Sequence, residues 1–426
     1  MDNVIQLLQE RGLIEAITSE EVKEAAKRPL RVYCGFDPTA DSLHLGNMVA
    51  LMGLSWFQRF GHTPVALIGG ATGMVGDPSG KSKERRLLDS TTIENNLRGI
   101  RRNLEIFLDF NHPTAKPIIV NNYDWLGKFT LIDFLRDVGK YFRIGPMLAK
   151  ESVRQRLNSP EGMSFTEFSY QLLQGYDFLH LYRDHGVTVQ LGGSDQWGNI
   201  VGGADLIRKV EGTTVYGVTF PLLTSSDGKK FGKTEQGTIW LAPEKLSPYE
   251  FYQYLFRVPD ADVIKLLKIL TFVDINEINT LEKSMQQEHY VPNTAQELLA
   301  KEVTTIVHGE KGLQAALKAT AYARPGSEAV LKAESLEKIA DDMPGVRMSL
   351  QQVVGAKIMD LFVEVGLQTS KGEVRRLIRN GGARLNNEKI TDEDFTITKD
   401  DLIEGKLILL AVGKKKKVLI RVFEAD

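Results

Sequence analysis

Tyr33-Cys34-Gly35-Phe36-Asp37-Pro38-Thr39-Ala40-Asp41-Ser42-Leu43-His44-Leu45-Gly46-Asn47 reads as a passage from strand to helix. Leu30 to Cys34 has the look of a short strand, and Leu45 to Phe57 of a helix with few polar breaks. The Gly, Pro and two Asp between them are turn residues. Asp41 or Ser42 is the expected N-cap, since either side-chain oxygen accepts from a free helix N–H. His44 and Gly46 then fall in the first turn, where unpaired backbone N–H groups and the helix dipole favour an anion. Gly46 has no side chain, so a flat ligand can approach the backbone. The chemistry suggested is a nucleoside polyphosphate at a helix N-terminus, although an ordinary turn with a surface histidine shares the pattern.

The alternation of strand and helix continues on both sides. Asn3 to Ile17 and Glu20 to Lys27 read as amphipathic helices ending at Pro29. Pro64 to Gly70, Ile118 to Asn122 and Val187 to Gly193 are short apolar runs, of the kind buried on both faces of a parallel sheet. Helical stretches lie between them, at Ile93 to Leu108, Leu131 to Val138 and Phe165 to Leu181. That order argues for an α/β fold with a parallel sheet and ligands at the carboxyl ends of its strands. From Pro248 to Phe256, Asp260 to Leu270, Ile275 to Glu288 and Thr294 to Tyr322 only helices are read. The last portion is mixed. Leu350 to Val365 and Ser370 to Asn380 are helical in pattern, Ala383 to Ile390 is a hairpin about Asn386-Asn387, and Leu407 to Val412 and Lys417 to Val422 are closing strands. The expected division is residues 1–245, 246–323 and 349–426, with a linker at 324–348.

Composition excludes several classes. Lys+Arg 53 against Asp+Glu 55 leaves a net charge of -2, so any nucleic-acid-binding surface must be local. The one cysteine, Cys34, permits no intramolecular disulfide and suits a reducing cytoplasm. The residues from Met1 to Ile17 lack the pattern of a signal peptide, and no run is apolar enough to span a membrane. The His 7 are scattered with no Cys/His cluster at zinc spacing, so no protein-bound metal is expected.

A second stretch narrows the chemistry. Asp227-Gly228-Lys229-Lys230-Phe231-Gly232-Lys233-Thr234 is a basic loop bracketed by glycines, whose lysines would neutralise phosphate oxygens as mobile point charges. Taken with the first stretch, it gives a resemblance. His44-Leu45-Gly46-Asn47 is similar to the HIGH motif and Lys230-Phe231-Gly232-Lys233-Thr234 to the KMSKS motif of class I aminoacyl-tRNA synthetases. Gly69-Gly70-Ala71-Thr72-Gly73, Gly76-Asp77-Pro78-Ser79-Gly80-Lys81, the string from Phe168 to Asp177 and Gln190-Leu191-Gly192-Gly193-Ser194-Asp195-Gln196-Trp197-Gly198-Asn199 resemble the bacterial tyrosyl members, and the resemblance runs from end to end. It implies a Rossmann-like catalytic domain, an α-helical domain on the anticodon side and a small α+β RNA-binding domain like one in a ribosomal protein.

The reaction so implied joins tyrosine to ATP as tyrosyl-adenylate, releasing pyrophosphate, and then moves the tyrosyl group to the 3′ end of its tRNA. ATP is a substrate, with Mg2+ expected on its phosphates. The first step needs no protein nucleophile, only positioning and charge stabilisation on the departing pyrophosphate. The resemblance assigns Thr39, His44, Lys230, Lys233 and Thr234 to the polyphosphate, joined by Lys81 and Arg85. It assigns Cys34, Gly35, Asp37, His44, Gly46, Asn47, Gly192, Asp195 and Lys233 to ATP, with Cys34 equally readable as a small buried hydrophobe. Asn47 stands where many relatives have His. It keeps a donor and an acceptor but carries no charge, so a ribose contact survives and a cationic role does not.

Tyr170, Gln174 and Asp177 are spaced i, i+4, i+7 and share one helix face. Asp77, Tyr170 and Gln174 are expected on the substrate ammonium, Tyr33 and Asp177 on the phenolic hydroxyl, and Gln196 on the carboxylate. Arg375, Arg376, Arg379, Arg384, Lys414 and Lys415 make the last module basic, as a tRNA-binding surface requires. A homodimer without membrane association is what the family implies. Two other readings are a tryptophanyl-type synthetase and a catalytically silent RNA-binding paralogue. Tyr33 and Asp177 favour a phenol over the first, and the presence of His44, Gly46 and the loop lysines argues against the second.

Overall fold

The structure is a computed structural model that describes residues 3–79, 90–228, 230–234, 237–322, 344–413 and 416–424. By packing, the chain divides into two compact units, Met1–Ala242 with Val258–Ala295, and Pro243–Arg257 with Gln296–Asp426. Residues 246–323, grouped by the sequence into one helical domain, are thus shared between the two.

In the first unit, six strands among the described residues make one sheet: β1 (Ala16–Ile17), β2 (Arg31–Phe36), β3 (Thr63–Ile68), β4 (Ile118–Asn121), β5 (Val189–Gly193) and β6 (Tyr216–Phe220), in the order β1-β6-β5-β2-β3-β4. All neighbours are parallel except β1, which pairs antiparallel with β6. From β2 the chain moves outward through β3 to β4, and from β5 outward the other way to β6. The crevice beyond the carboxyl ends of β2 and β5 is therefore the switch point at which open α/β sheets bind ligands. The register Tyr33↔Gln190 and Cys34↔Leu191 sets Tyr33 beside Gln190 across the two strands.

Behind the strands lies the helix Met48–Arg59, which buries Leu51, Leu54 and Phe57. Gly53 lets it approach closely, since a Cβ there would stand 2.3 Å from the Phe220 ring. The helix Asp260–Leu270 belongs to this unit because Arg11 reaches its end. The Arg11 guanidinium donates to the carbonyls of Lys268 at 2.7 Å, Thr271 at 2.6 Å and Val273 at 2.8 Å, capping the helix.

The second unit contains the helices Pro248–Phe256 and most of Thr294–Tyr322, the latter interrupted at Gly309 (φ 68). It also contains a five-stranded sheet of β9 (Gly345–Ser349), β10 (Ala383–Leu385), β11 (Glu388–Lys389), β12 (Leu407–Val412) and β13 (Lys416–Phe423), in the order β11-β10-β12-β13-β9. Ile358, Phe362, Val374, Ile378, Leu410 and Ile420 form a core of their own beneath that sheet.

Three expectations of secondary structure are corrected. The helix expected over Asn3 to Ile17 ends at Glu10; Gly12 turns the chain at φ 70, and Ala16–Ile17 joins the sheet edge. The strand Gly345–Ser349, all but its last residue expected within the linker, runs parallel to β13. The helix expected over Leu350 to Val365 is two, Leu350–Val353 and Ile358–Glu364, parted by Gly355 at φ 88. The Asn386-Asn387 turn has both residues left-handed, at φ 51 and 70, as a two-residue hairpin of mirror-image turn type requires.

Candidate active site

The turn after β2 is built differently at its end from the expected N-cap. Neither Asp41 nor Ser42 caps the helix. His44 is the cap of a 3-10 turn, Leu45–Asn47, that leads into Met48–Arg59. Ser42 instead donates to the Leu43 carbonyl at 2.7 Å and accepts from the Ala242 N–H at 3.1 Å. Asn47 closes the turn, its Oδ1 accepting from the His44 N–H at 3.1 Å. A Cβ at Gly46 would lie 2.9 Å from the His44 imidazole, so any larger residue would push that ring out of its place.

The basic loop lies over this turn. The Leu45 N–H donates to the Ile239 carbonyl at 2.9 Å, and the Leu241 N–H to the Leu43 carbonyl at 2.9 Å. These bonds join the segment after the loop to the segment holding His44. The loop itself forms a small hairpin, β7 (Lys233–Thr234) against β8 (Gly237–Thr238). Phe231 is buried and anchors it, and Gly232, at φ 84, passes so close that a Cβ would be 3.2 Å from the Gly46 nitrogen. Lys230 and Lys233 are exposed beside it.

Both segments line one cavity of about 510 Å³ at the switch point. Among its walls are Thr39, His44, Gly46, Asn47, Lys230 and Lys233, with Cys34 and Gly35 of β2, Gly192 of β5 and Asp195 just after it. Burial pushes the Cys34 thiol up to about 12, so it stays protonated.

Tyr33, Asp37, Asp77, Tyr170, Gln174, Asp177 and Gln196 line the same cavity. Asp37 accepts from the Tyr170 hydroxyl at 2.9 Å and from the Thr72 hydroxyl at 2.8 Å. Asp177 is buried, and it accepts from Asn122 Nδ2 at 3.0 Å and Trp125 Nε1 at 2.8 Å. Burial pushes its carboxyl up to about 7 in spite of those two donors. The Tyr33 hydroxyl is buried and has no hydrogen-bond partner among the described residues. Burial, then the Asp177 charge, hold it well above the usual phenol range, so it is a neutral donor.

Near them is a cluster of amides. Gln196 Nε2 donates to Asp77 Oδ2 at 2.7 Å, and Asn199 Nδ2 donates to Gln174 Oε1 at 2.9 Å. Asn122, Trp125 and Asn199 are not among the site residues read from the sequence, nor is Gln190, whose buried Oε1 is also unpartnered among the described residues and lines the cavity. The one signal for Asn122 is its place just past the carboxyl end of β4, whereas Gln190 lies inside β5.

Other expected residues stand elsewhere. Lys81, Arg85, Lys414 and Lys415 lie outside the described residues, and Thr234 is described only as part of β7. Arg375, Arg376, Arg379 and Arg384 are in the second unit. There Arg375 and Arg379 both contact Glu393, at 3.1 and 2.6 Å, and Arg384 donates to the Asn387 carbonyl at 2.9 Å. Among the described residues no group of three or more His, Cys, Asp or Glu is placed to hold a metal ion, and no helix is long and apolar enough to cross a membrane.

The cavity walls carry a histidine and two lysines together with a buried hydroxyl and a buried carboxylate. Comparison with known proteins gives the family. The family model for class I tRNA synthetases (W and Y) matches residues 24–323, and that for the C-terminal domain of SYY-like tyrosine–tRNA ligases matches residues 335–420. A tyrosine–tRNA ligase of Protochlamydia amoebophila is 63% identical over 424 residues, covering 100% of both chains. One of Escherichia coli is 48% identical over 421 residues, covering 98% of each. Among solved structures, a C-terminally truncated mitochondrial tyrosyl-tRNA synthetase of Aspergillus nidulans superposes with a TM-score of 0.67 at 32% identity, over 74% of this chain and 92% of that one. With the catalytic-domain and the tyrosyl-type C-terminal models both matched and such identity held from end to end, the chain belongs to the tyrosyl branch of the class I tRNA synthetases.

Proposed function

We propose that the cavity at the switch point takes tyrosine and ATP, forms tyrosyl-adenylate and pyrophosphate, and passes the tyrosyl group to the 3′ end of the tRNA for tyrosine. One observation carries the choice of substrate. The Tyr33 hydroxyl is buried without a partner among the described residues and shares the cavity wall with the Asp177 carboxylate. A donor and an acceptor so placed satisfy a phenolic hydroxyl, and a hydroxyl satisfies them. Tryptophan brings no hydroxyl to that pair. A silent paralogue would not need His44, Gly46, Lys230 and Lys233 around one cavity.

In this reading Asp77, Tyr170 and Gln174 hold the ammonium and Gln196 meets the carboxylate. Thr39, His44, Lys230 and Lys233 stabilise the charge that develops on the leaving pyrophosphate. ATP enters with Mg2+ on its phosphates. Asp195 accepts from the ribose, and Cys34, Gly35, Gly46, Asn47 and Gly192 flank the nucleoside. The arginines of the second unit contact tRNA phosphates, of which Arg376 and the two that share Glu393 are on the helix Lys371–Arg379. We read the working form as a homodimer; Leu131, Ile132, Ile144 and Phe165 expose large apolar side chains that a second copy would cover. The compartment is read as the cytoplasm from the single cysteine.

The test is ATP–pyrophosphate exchange by the full chain with a panel of amino acids. Tyrosine alone should support fast exchange. Equal exchange with tryptophan or phenylalanine, or none with tyrosine, contradicts the assignment.

A further inference from the structure

Lys150 joins two short helices, Ile144–Ala149 and Glu151–Leu157, and turns inward from the junction. Its stem lies along a bare side of the helix Trp197–Glu211. Gly198 and Gly202, one turn apart there, leave the room: a Cβ at Gly198 would be 3.3 Å from Lys150 Cδ, and one at Gly202 would be 3.2 Å from Nζ. Between them Asn199 is buried, and Lys150 Nζ donates to its Oδ1 at 3.4 Å.

An ammonium group has donors and no acceptor, so it selects which end of an amide faces it. With Oδ1 turned to Lys150, Asn199 must turn Nδ2 the other way. That Nδ2 donates to Gln174 Oε1 at 2.9 Å and reaches Gln196 Oε1 at 3.5 Å. Gln196 in turn has its Nε2 on Asp77 Oδ2 at 2.7 Å. A flipped Asn199 would set an oxygen against both glutamine oxygens and release their orientation. Neither Lys150 nor Asn199 is among the residues lining the cavity, whereas Gln174, Gln196 and Asp77 all are.

We propose that Lys150 is a positioning residue for the amino-acid end of the site, fixing through Asn199 the amides of Gln174 and Gln196 that meet the substrate ammonium and carboxylate. The proposal rests on the reading of this cavity as the tyrosine site. Burial costs the ammonium, bringing Lys150 down to about 8 against the favourable field of Asp77. A cation maintained there at such a cost is more than a solvated side chain.

The test uses the full chain and tyrosine-dependent ATP–pyrophosphate exchange. Lys150→Met keeps the stem and removes the donor. It should raise the KM for tyrosine on the order of tenfold, the factor that accompanies a lost charge-assisted hydrogen bond, and leave the KM for ATP unchanged. Lys150→Arg should restore most of the loss. Gly202→Ala, which crowds Nζ and leaves the charge, should move the tyrosine KM the same way by less. In an Asn199→Ala background, Lys150→Met should add nothing, since its route is already gone. An unchanged tyrosine KM in folded Lys150→Met protein overturns the proposal, as does full additivity with Asn199→Ala or an equal rise in the KM for ATP. If the unaltered chain shows no tyrosine-dependent exchange, the site reading itself falls. If the unaltered chain is active and the variants match it, only the role of Lys150 falls.

Discussion

His44→Ala and Lys233→Ala should each slow adenylate formation by about 10²–10³-fold while tyrosine affinity stays within about twofold, the size expected for removing one preorganised donor to developing charge. The geometry gives the reason. His44 caps the turn at the head of Met48–Arg59, and Lys233 stands in the loop hairpin whose glycine rests on Gly46. Both line the cavity that Tyr33 and Asp177 also line. The charge they would meet grows only as pyrophosphate departs, so the loss appears in the chemical step and little in ground-state binding. Rapid-quench measurement of adenylate, with equilibrium dialysis of tyrosine, separates the two. Collapse of tyrosine affinity with turnover preserved would contradict this division of the cavity.

Asp177→Asn should remove most tyrosine binding and also change how stability depends on pH. The native carboxyl titrates near about 7, whereas an exposed aspartate titrates near 3.8. Between those values the native state holds a proton that the unfolded chain has released. The stability contributed by protonated Asp177 is therefore full below the lower value and lost as pH rises through the upper one. The asparagine variant has no such charge to bury. Measured against the unaltered chain, it should gain stability as pH goes from about 4 to 7, by a few kcal/mol. Part of this gain is offset at every pH, because asparagine offers one acceptor to the two donors Asn122 and Trp125. Urea denaturation of both proteins across that range checks the slope, and a stability difference independent of pH would contradict it.

Much of this site was legible because its parts are local. A strand, a turn with His44 and Gly46, and a helix face with Tyr170, Gln174 and Asp177 each show a short-range pattern. The same holds for the parallel sheet, whose apolar runs β3 and β5 are buried along nearly their whole length. The residues that were missed act at long range. Asn122 and Trp125 meet Asp177, and Lys150 meets Asn199, across chain separations that no periodicity reports. A lone Asn or Lys has no pattern to betray it. The sheet edge Ala16–Ile17 is too short to show alternation, and its strand state comes from pairing with β6. The cap at His44 escaped for a related reason: Ser42, the better cap by residue type, is drawn off by Leu43 and Ala242.

The measurement that bears most directly on the central claim is kcat/KM for tyrosine and for phenylalanine in ATP–pyrophosphate exchange, by the unaltered chain and by Tyr33→Phe. A site whose buried polar groups are left unpaired by the wrong substrate discriminates strongly, tyrosyl-tRNA synthetases being themselves the usual illustration of that rule. The unaltered chain should therefore prefer tyrosine by orders of magnitude. Tyr33→Phe removes the unpartnered hydroxyl, and the preference should fall by about 3–10-fold, the worth of one neutral hydrogen bond, through a loss with tyrosine and none with phenylalanine. A preference unchanged by that substitution, or an unaltered chain that accepts both amino acids alike, would contradict the account.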